Sequence, residues 1–258
     1  MKQFWKWTTI VAALASLAFA QKPKGPKETE AIMAVQNASD PDSRLAAIDS
    51  LLTRFPDTEF KMAMHEIAID TARQKGDMDL MTIWCERTLD AAPNDLDAIS
   101  SLAKVVGATI RENDLDKEDK LKKVDGLVQK CFKLLPDAQK PYASMPDNVF
   151  TARKAEFTSD CHEAAAATAK VRGKFDEAVT EYQASLAARK DPATMVRIGQ
   201  VYVLAGKYDE AIAILDQAQA FPDVNPVVKQ VAAQEKVKAI MAKNKTPKPA
   251  PAPPKPQE

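Results

Sequence analysis

The chain has 258 residues, of which 45% are hydrophobic and 28% are charged, a composition typical of a folded globular protein. Its 36 basic residues balance its 36 acidic ones, and no block of Lys and Arg is interleaved with aromatic residues, which argues against a nucleic-acid partner. Aromatic residues make up only 6% and alanine is abundant, which favours closely packed helices over a β-sandwich.

The first twenty residues have the pattern of a secretory signal peptide. Lys2 and Lys6 form a basic start, residues 8–17 are apolar, and a small-x-small cleavage site ends at Ala20. The apolar run is short for a membrane span, and an uncleaved N-terminal anchor is the alternative. We therefore expect residues 1–20 to be removed and the mature protein to be exported, periplasmic or secreted, with no integral membrane span.

Proline-rich segments flank the rest of the chain. Residues 21–27 carry two prolines and one glycine, which predicts a flexible leader. Residues 244–258 are mainly Pro, Ala and Lys, which predicts a disordered tail with polyproline II character. A solvated spacer is the simplest interpretation of this tail, and a ligand for a proline-binding module or a tether to wall polymers is the alternative. The helical domain is predicted to occupy residues 28–243.

Residues 192–225 contain the clearest pattern within that domain. A first helix places apolar and small residues three and four positions apart, Gly206 allows a left-handed turn, and a second helix follows. The small side chains of Gly199 and Ala211 would let two antiparallel helices approach closely. Leu215 would then fill the space that remains between them.

This pattern resembles the tetratricopeptide repeat, in which small and large residues alternate at fixed offsets over about 34 positions. With Gly206 as the reference turn, Gly173 and Gly76 begin the second helices of two further copies. Residues 45–56 resemble the second helix of an earlier, more degenerate copy. Residues 96–111 and 116–136 resemble another copy with an expanded turn and a lengthened second helix. The clearest repeats are predicted at residues 58–95, 159–191 and 192–225.

Two stretches depart from the repeat. Residues 137–157 do not fit the period and are interpreted as an insertion, a loop followed by an extended first helix. Residues 226–243 are predicted to form a closing helix whose outer face meets water. The resemblance therefore implies an all-α fold, a right-handed α-solenoid of tetratricopeptide-like helix-turn-helix repeats with a C-terminal closing helix.

The three cysteines, Cys85, Cys131 and Cys161, are an odd set for an exported protein. Export would permit a disulfide, but three thiols cannot all pair within one chain, and no two have the spacing of a C-x-x-C metal or redox motif. Each falls in a helical pattern where a small apolar side chain packs well. We favour buried, unreactive thiols, with one disulfide pair as the alternative.

The sequence contains no constellation typical of a catalytic or metal site. His65 and His162 are each followed by Glu, but a helical zinc motif needs a second histidine four residues later, where Ile69 and Ala166 stand. No glycine-rich phosphate loop and no G-x-S-x-G motif is present. We therefore expect no enzymatic activity, no cofactor and no bound metal ion.

In the tetratricopeptide family the first helices line an inner groove, and the resemblance assigns that position to a set of polar residues. They would bind a protein or peptide, although they could equally be the solvated face of amphipathic helices. Some family members hold a C-terminal carboxylate at two offsets that here carry Glu66 and Asp70, whose charge is wrong for that ligand. The predicted partner-binding residues are Glu66, Asp70, Arg73, Gln74, Ser100, Lys104, Glu163, Lys170 and Gln200.

These patterns support two hypotheses about function. The first is a non-catalytic scaffold or adaptor of the bacterial cell envelope, which binds an unidentified protein or peptide in the groove of the repeat array. The second is a structural envelope protein tethered through its Pro/Lys-rich tail. Both leave the partner and the oligomeric state open.

Overall fold

The computed structural model describes residues 22–141 and 145–245, and every regular element in these ranges is an α-helix. The predicted all-α fold is therefore confirmed, while the predicted signal peptide and most of the predicted tail lie outside the described residues. In chain order the eleven helices of these ranges are α1 (Pro26–Asn37), α2 (Pro41–Arg54), α3 (Lys61–Lys75), α4 (Met78–Ala91), α5 (Leu96–Thr109), α6 (Lys117–Leu134), α7 (Asp147–Val171), α8 (Phe175–Ala188), α9 (Pro192–Leu204), α10 (Tyr208–Ala220) and α11 (Pro226–Lys245).

The chain divides into two compact units, residues 1–165 and residues 166–258. In the first unit each helix from α1 to α6 packs against the next one along the chain. In the second unit α8, α9, α10 and α11 also pack in chain order, and α11 additionally contacts α9. This sequential packing is the arrangement expected of helix-turn-helix repeats, because each pair buries its apolar side against its neighbours.

An aspartate side chain caps the N-terminus of four of the described helices. Asp40, Asp77, Asp95 and Asp191 each accept a hydrogen bond from a backbone amide in the first turn, at 2.9 to 3.0 Å. Such a cap satisfies an amide that has no partner within the helix, and it stabilises the helix by about 1 kcal/mol. The capped positions therefore determine where α2, α4, α5 and α9 begin.

Glycine makes the turn inside each of the three predicted repeats. Gly76, Gly173 and Gly206 have φ angles of 68°, 73° and 73°, in the left-handed region that favours glycine. The amide after each glycine donates to the carbonyl five residues before it, at 2.8 to 3.2 Å. This closure ends the first helix and redirects the chain into the second.

The close approach predicted between α9 and α10 is present in the second unit. A methyl group at Gly199 would lie 2.6 Å from Leu215 Cγ, closer than two carbon atoms can pack. Ala211, Leu215 and Ala218 are fully buried on the facing helix. The missing side chain at Gly199 is therefore what allows Leu215 to fill the contact.

Helix α7 is much longer than the first helix of the clearest repeat. Helix α9 begins fourteen residues before Gly206, whereas α7 begins at Asp147, twenty-six residues before Gly173. The additional N-terminal turns of α7 and the loop that follows α6 fall in the segment interpreted as an insertion, residues 137–157. This extension contributes side chains to the wall of a cavity in the first unit.

The N-terminal leader overlaps the helical domain. Helix α1 begins at Pro26, within the segment 21–27 that was predicted to be a leader, because proline is favoured in the first turn of a helix. Lys24 Nζ donates a hydrogen bond to the carbonyl of Asp57 at 2.6 Å, and the Lys24 amide donates to the carboxylate of Glu28. The end of this segment is thus held against the first unit.

The favoured expectation of unpaired thiols is wrong for two of the three cysteines, and the alternative of one disulfide pair is what the structure has. Cys131 in α6 and Cys161 in α7 form a disulfide, with their Cα atoms 6.7 Å apart. Both are fully buried and pack with Ile99 and Phe157. Sequence spacing did not indicate this pair because two packed helices bring together residues 30 positions apart. Cys85 is free and buried, as expected, and burial raises the pKa of its thiol to about 12.

Candidate functional site

The first unit contains a cavity of about 500 Å³. First helices α3, α5 and α7 contribute to its wall, together with the loop that follows α6. Cavities of this size are typical of sites that bind a small molecule or a few side chains of a partner. We call this space the first-unit cavity.

Apolar side chains form one part of the wall of the first-unit cavity. Met62 and Ile69 come from α3, and Phe150 and Phe157 come from the extension of α7. Met62 is exposed, Phe150 is half-buried, and Ile69 and Phe157 are buried. A partner side chain that entered the cavity would therefore exchange water for hydrocarbon and aromatic contacts.

Two arginines and three carboxylates form an ion-pair network beside this apolar wall. Arg153 Nη2 lies 2.5 Å from Glu66 Oε1 and 3.2 Å from Asp97 Oδ2. Arg73 Nη2 lies 2.7 Å from Asp97 Oδ1, and Arg73 also pairs with Asp70. Asp97 is buried between the two guanidinium groups. Glu66, Asp97 and Arg153 line the cavity itself.

Burial and mutual attraction shift the protonation equilibria of this network. Burial raises the pKa of Asp70 to about 6, and the charge of Arg73 opposes that rise while Asp97 and Glu66 add to it. Burial alone would lower the pKa of Arg153, but Glu66 and Asp97 raise it above its ordinary value. The two arginines therefore stay charged and hold the carboxylates in place.

Two further carboxylates of the cavity form no ion pair with any described residue. Asp95 caps α5 through one carboxylate oxygen, which accepts from the Ala98 amide at 2.9 Å. Burial raises the pKa of Asp95, and this capping hydrogen bond opposes the rise. Asp137 is exposed on the loop after α6. The cavity therefore has more negative than positive charge.

A second charged cluster of the first unit joins α5 to α7. Lys104 Nζ lies 2.7 Å from Asp160 Oδ1 and 3.1 Å from Glu163 Oε2, and both carboxylates are buried. Burial alone would lower the pKa of Lys104, but these two carboxylates raise it. This cluster holds two first helices together, and none of its members lines the first-unit cavity.

The structure divides the nine predicted partner-binding residues among several places. Glu66, Asp70 and Arg73 belong to the ion-pair network, and Lys104 and Glu163 belong to the second cluster. The remaining four are dispersed: Gln74 is exposed near the end of α3, and Gln200 lies half-buried in α9. Ser100 is fully buried, and its hydroxyl donates a hydrogen bond to the Asp97 carbonyl at 3.2 Å. Lys170 lies near the end of α7, and burial and the charge of Arg197 lower its pKa.

Sequence reasoning missed the residues that complete the cavity. Arg153, Phe150 and Phe157 come from the extension of α7, which has no counterpart in a regular repeat. Asp95 precedes α5 and was not at a groove-facing offset. The signal that could have identified the α7 residues was the insertion itself, because its length places additional side chains beside the neighbouring first helices.

Both histidines lie against aromatic rings. His65 is buried edge-on to Trp84, with ring centroids 5.9 Å apart, and burial lowers its pKa. His162 lies against Phe132 at 4.7 Å. Within residues 22–141 and 145–245, no group of three His, Cys, Asp or Glu residues is arranged to hold a metal ion.

Residues 172–235 match the family model of the tetratricopeptide repeat. This part of the chain is therefore similar to a tetratricopeptide repeat. The structure is also similar to that of TTC0263, a thermophilic TPR protein of Thermus thermophilus, with a TM-score of 0.55 and 14% identity over 76% of this chain and 91% of that one. A tetratricopeptide repeat protein of Parabacteroides merdae has a TM-score of 0.41 and 13% identity over 84% of this chain and 94% of that one. No curated protein matches the sequence.

The tetratricopeptide match and the first-unit cavity fall in different parts of the chain. The matched residues 172–235 begin just before Gly173 and include α8, α9 and α10 with part of α11. The described residues that line the cavity all have lower numbers, up to Phe157. The family match therefore accounts for the architecture of the second unit and does not include the residues of the cavity.

Proposed function

We propose that this tetratricopeptide repeat protein is a non-catalytic adaptor that binds a protein or peptide partner. Helix pairs of this kind present a preformed surface to another macromolecule. The observation that carries the proposal is the first-unit cavity, where polar side chains from three first helices converge beside an apolar wall. A preorganised cavity of this kind favours binding because little conformational entropy is lost when the partner docks.

The raised pKa of Asp70 fits an adaptor as well as an enzyme. A carboxyl group with a raised pKa can be a catalytic acid or base, but ion-pair networks produce the same shift. Here burial is the main cause of the raised pKa, Asp97 and Glu66 add to it, and Arg73 opposes it. Asp70 does not line the first-unit cavity. Its place in the network is therefore sufficient to explain the shift.

Export to the bacterial cell envelope is the second part of the proposal. Residues 1–20 have the sequence pattern of a signal peptide. The disulfide between Cys131 and Cys161 supports this assignment, because such bonds persist mainly in oxidising compartments. Within the described ranges, no helix has the length and the apolar character needed to cross a bilayer.

Cell fractionation with mass spectrometry tests the location. We expect the protein in the envelope or secreted fraction, with an N-terminus at Gln21 and the Cys131–Cys161 bond intact. A cytoplasmic chain that keeps Met1 and has three free thiols would contradict export.

Crosslinking with mass spectrometry, applied to the full exported chain in its native cells, tests the adaptor. Asn94 is exposed at the wall of the first-unit cavity, so Asn94→Trp should obstruct the cavity without breaking a described hydrogen bond. Gln36→Trp in α1 is the matched control, because Gln36 is also an exposed amide and lies outside the cavity. We expect a partner that crosslinks to the wild type and to Gln36→Trp but not to Asn94→Trp, with unchanged helical circular dichroism.

Two results would count against this proposal. Failure to crosslink any protein above the background of an unrelated exported control would contradict the adaptor role. A partner that is lost only when residues 244–258 are deleted, and that is retained by Asn94→Trp, would instead support a structural protein tethered through its tail.

A further inference from the structure

Negative charge exceeds positive charge in the lining of the first-unit cavity. Among the described residues that line it are four carboxylates, Glu66, Asp95, Asp97 and Asp137, and one guanidinium group, that of Arg153. Like charges in a cavity with apolar walls repel each other more strongly than they would in water. The lining therefore disfavours an anionic ligand and would be stabilised by a cation.

The carboxylates of the cavity differ in how far they are already neutralised. Arg153 pairs with Glu66 and Asp97, and Arg73 supplies a second cation to Asp97. Asp95 and Asp137 form no ion pair with any described residue. A cationic group that enters the cavity would therefore find its partners at Asp95 and Asp137, while the arginine pairs remain intact.

The apolar wall defines the second requirement on the ligand. Phe150 and Phe157 from the extension of α7 line the same cavity as Met62 and Ile69 from α3. A volume of about 500 Å³ accommodates one large side chain together with the neighbouring residue of a peptide. A cation without an apolar neighbour would leave this wall in contact with water.

We infer that the first-unit cavity selects a peptide segment of the partner in which a Lys or Arg side chain stands next to a large aliphatic or aromatic one. The inference rests on the proposed adaptor function and names the chemistry of what the adaptor binds. The cation pairs with Asp95 and Asp137, and the apolar side chain packs against Phe150 and Phe157. Because Asp137, Phe150 and Phe157 belong to the insertion at residues 137–157, this selectivity comes from the insertion and is no general property of the repeats.

Selection from a phage-displayed library of random octapeptides, with the mature chain as bait, tests the inference. We expect enrichment of peptides that carry Lys or Arg beside Phe, Tyr, Trp, Leu, Ile or Met. A fluorescent synthetic copy of the most enriched peptide should bind in an anisotropy titration, and salt should weaken its binding because charge contributes to it. Replacing its basic residue by Gln should weaken binding about tenfold.

The decisive variants change charge without changing structure. Asp95→Asn keeps the cap of α5, because Asn caps helices about as well as Asp, and Asp137→Asn alters an exposed loop residue. The double variant should weaken binding of the selected peptide about tenfold or more. Asp40→Asn is the matched control, since Asp40 caps α2 in the same way but lies outside the cavity, and it should leave binding unchanged.

Several results would overturn the inference. Enriched peptides that lack a basic residue, or equal affinity of the wild type and the Asp95→Asn/Asp137→Asn variant, would contradict the role of the carboxylates. A peptide of residues 244–258 has lysines but no side chain larger than those of Lys and Gln, and it has no aromatic or long aliphatic group. If this tail peptide bound as tightly as the selected peptide, a large apolar side chain would not be needed, and the inference would be contradicted.

The outcomes also separate this inference from the adaptor proposal. If a crosslinked partner still depends on Asn94 while basic-apolar peptides fail to bind, the adaptor stands and the ligand chemistry is wrong. If no partner crosslinks and no peptide is enriched, the adaptor itself is wrong.

Discussion

The two units of this protein are both built from helix pairs, but different contacts stabilise them. In the second unit Gly199 allows Leu215 into the contact between α9 and α10, so packing of small against large side chains holds the pair. In the first unit a disulfide joins α6 to α7, and partly exposed ion pairs join α7 to α3 and α5. The regular repeat is stabilised by the complementary shapes of its helices, and exposed ion pairs such as Lys236–Asp216 join α11 to α10. The first unit has in addition a disulfide and an ion-pair network that is partly shielded from solvent.

This difference accounts for where a cavity forms in a chain of helix pairs. Where small residues allow two helices to pack closely, little space remains for a ligand. In the first unit the extension of α7 places Phe150, Arg153 and Phe157 beside α3 and α5, and a cavity forms among them. Arg153 is partly shielded from water there, so its charge is stabilised by ion pairs, and Glu66 and Asp97 supply them.

Loss of the disulfide should give the largest effect and act on the first unit. The bond between Cys131 and Cys161 closes a loop of 30 residues, so its removal should lower the free energy of unfolding by about 3 to 4 kcal/mol. Urea unfolding of the wild type and of the Cys131→Ala/Cys161→Ala variant measures the difference. Hydrogen exchange should show lost protection in α6 and retained protection in α9 and α10.

Cys85→Ala is the control for this experiment, because Cys85 is buried and free. Reductant should destabilise Cys85→Ala as much as it destabilises the wild type. If reductant changed neither protein and thiol labelling found three free cysteines in the wild type, the assignment of the bond would be wrong.

Two glycine substitutions, one in each unit, should change the free energy of unfolding in opposite directions. Gly199→Ala places a methyl group 2.6 Å from Leu215 Cγ, so overpacking should outweigh the better helix propensity and destabilise the second unit by about 1 kcal/mol. Gly126→Ala in α6 meets nothing within 4 Å, so it should stabilise the first unit by about 0.5 to 1 kcal/mol. Urea midpoints measure both changes, and shifts of the same sign would contradict this account of the packing.

The smallest expected effect concerns pH and the ion-pair network of the first unit. Burial raises the pKa of Asp70 to about 6, above the ordinary value of about 4 in an unfolded chain. The folded state therefore binds this proton more tightly, and the contribution of Asp70 to stability should increase as pH falls from about 7 to about 4. Because the Asp70 side chain is 37% exposed, solvent screening should keep the change below about 1 kcal/mol.

Urea unfolding at pH 7 and at pH 4.5 tests this effect in the wild type and in Asp70→Asn. The groups that face Asp70 are Arg73, Asp97, Glu66 and Arg153, and all of them are unchanged in the variant. The difference between the two proteins should therefore isolate the proton on Asp70. Parallel pH profiles would contradict the raised pKa.

The sequence was informative about the helices because their ends depend on nearby residues. Asp77 and Asp191 accept hydrogen bonds from amides two or three residues ahead, and Gly173 and Gly206 adopt a backbone conformation that other residues rarely adopt. The role of Gly199 could also be inferred, because Gly199 and Leu215 belong to the two helices of a single repeat. These features involve short stretches of chain, so spacing alone predicts them.

The candidate site was predicted less well, because its members are far apart in sequence. Glu66 and Asp70 were expected to face a groove, and both lie in the network beside the first-unit cavity or in its wall. Arg153 was not expected there, because it follows an insertion whose length disrupts the repeat register. Ser100 was expected to be available to a partner, and it is fully buried.

From its sequence alone this protein is a set of helix pairs with glycine turns, since backbone geometry and apolar spacing act within one or two turns of helix. The pairing of Cys131 with Cys161, the sharing of Asp97 between Arg73 and Arg153, and the cavity beside them were decided only by the tertiary structure. The physical reason is distance along the chain. Contacts between residues 24 to 56 positions apart depend on how whole helices pack, and no local pattern encodes them.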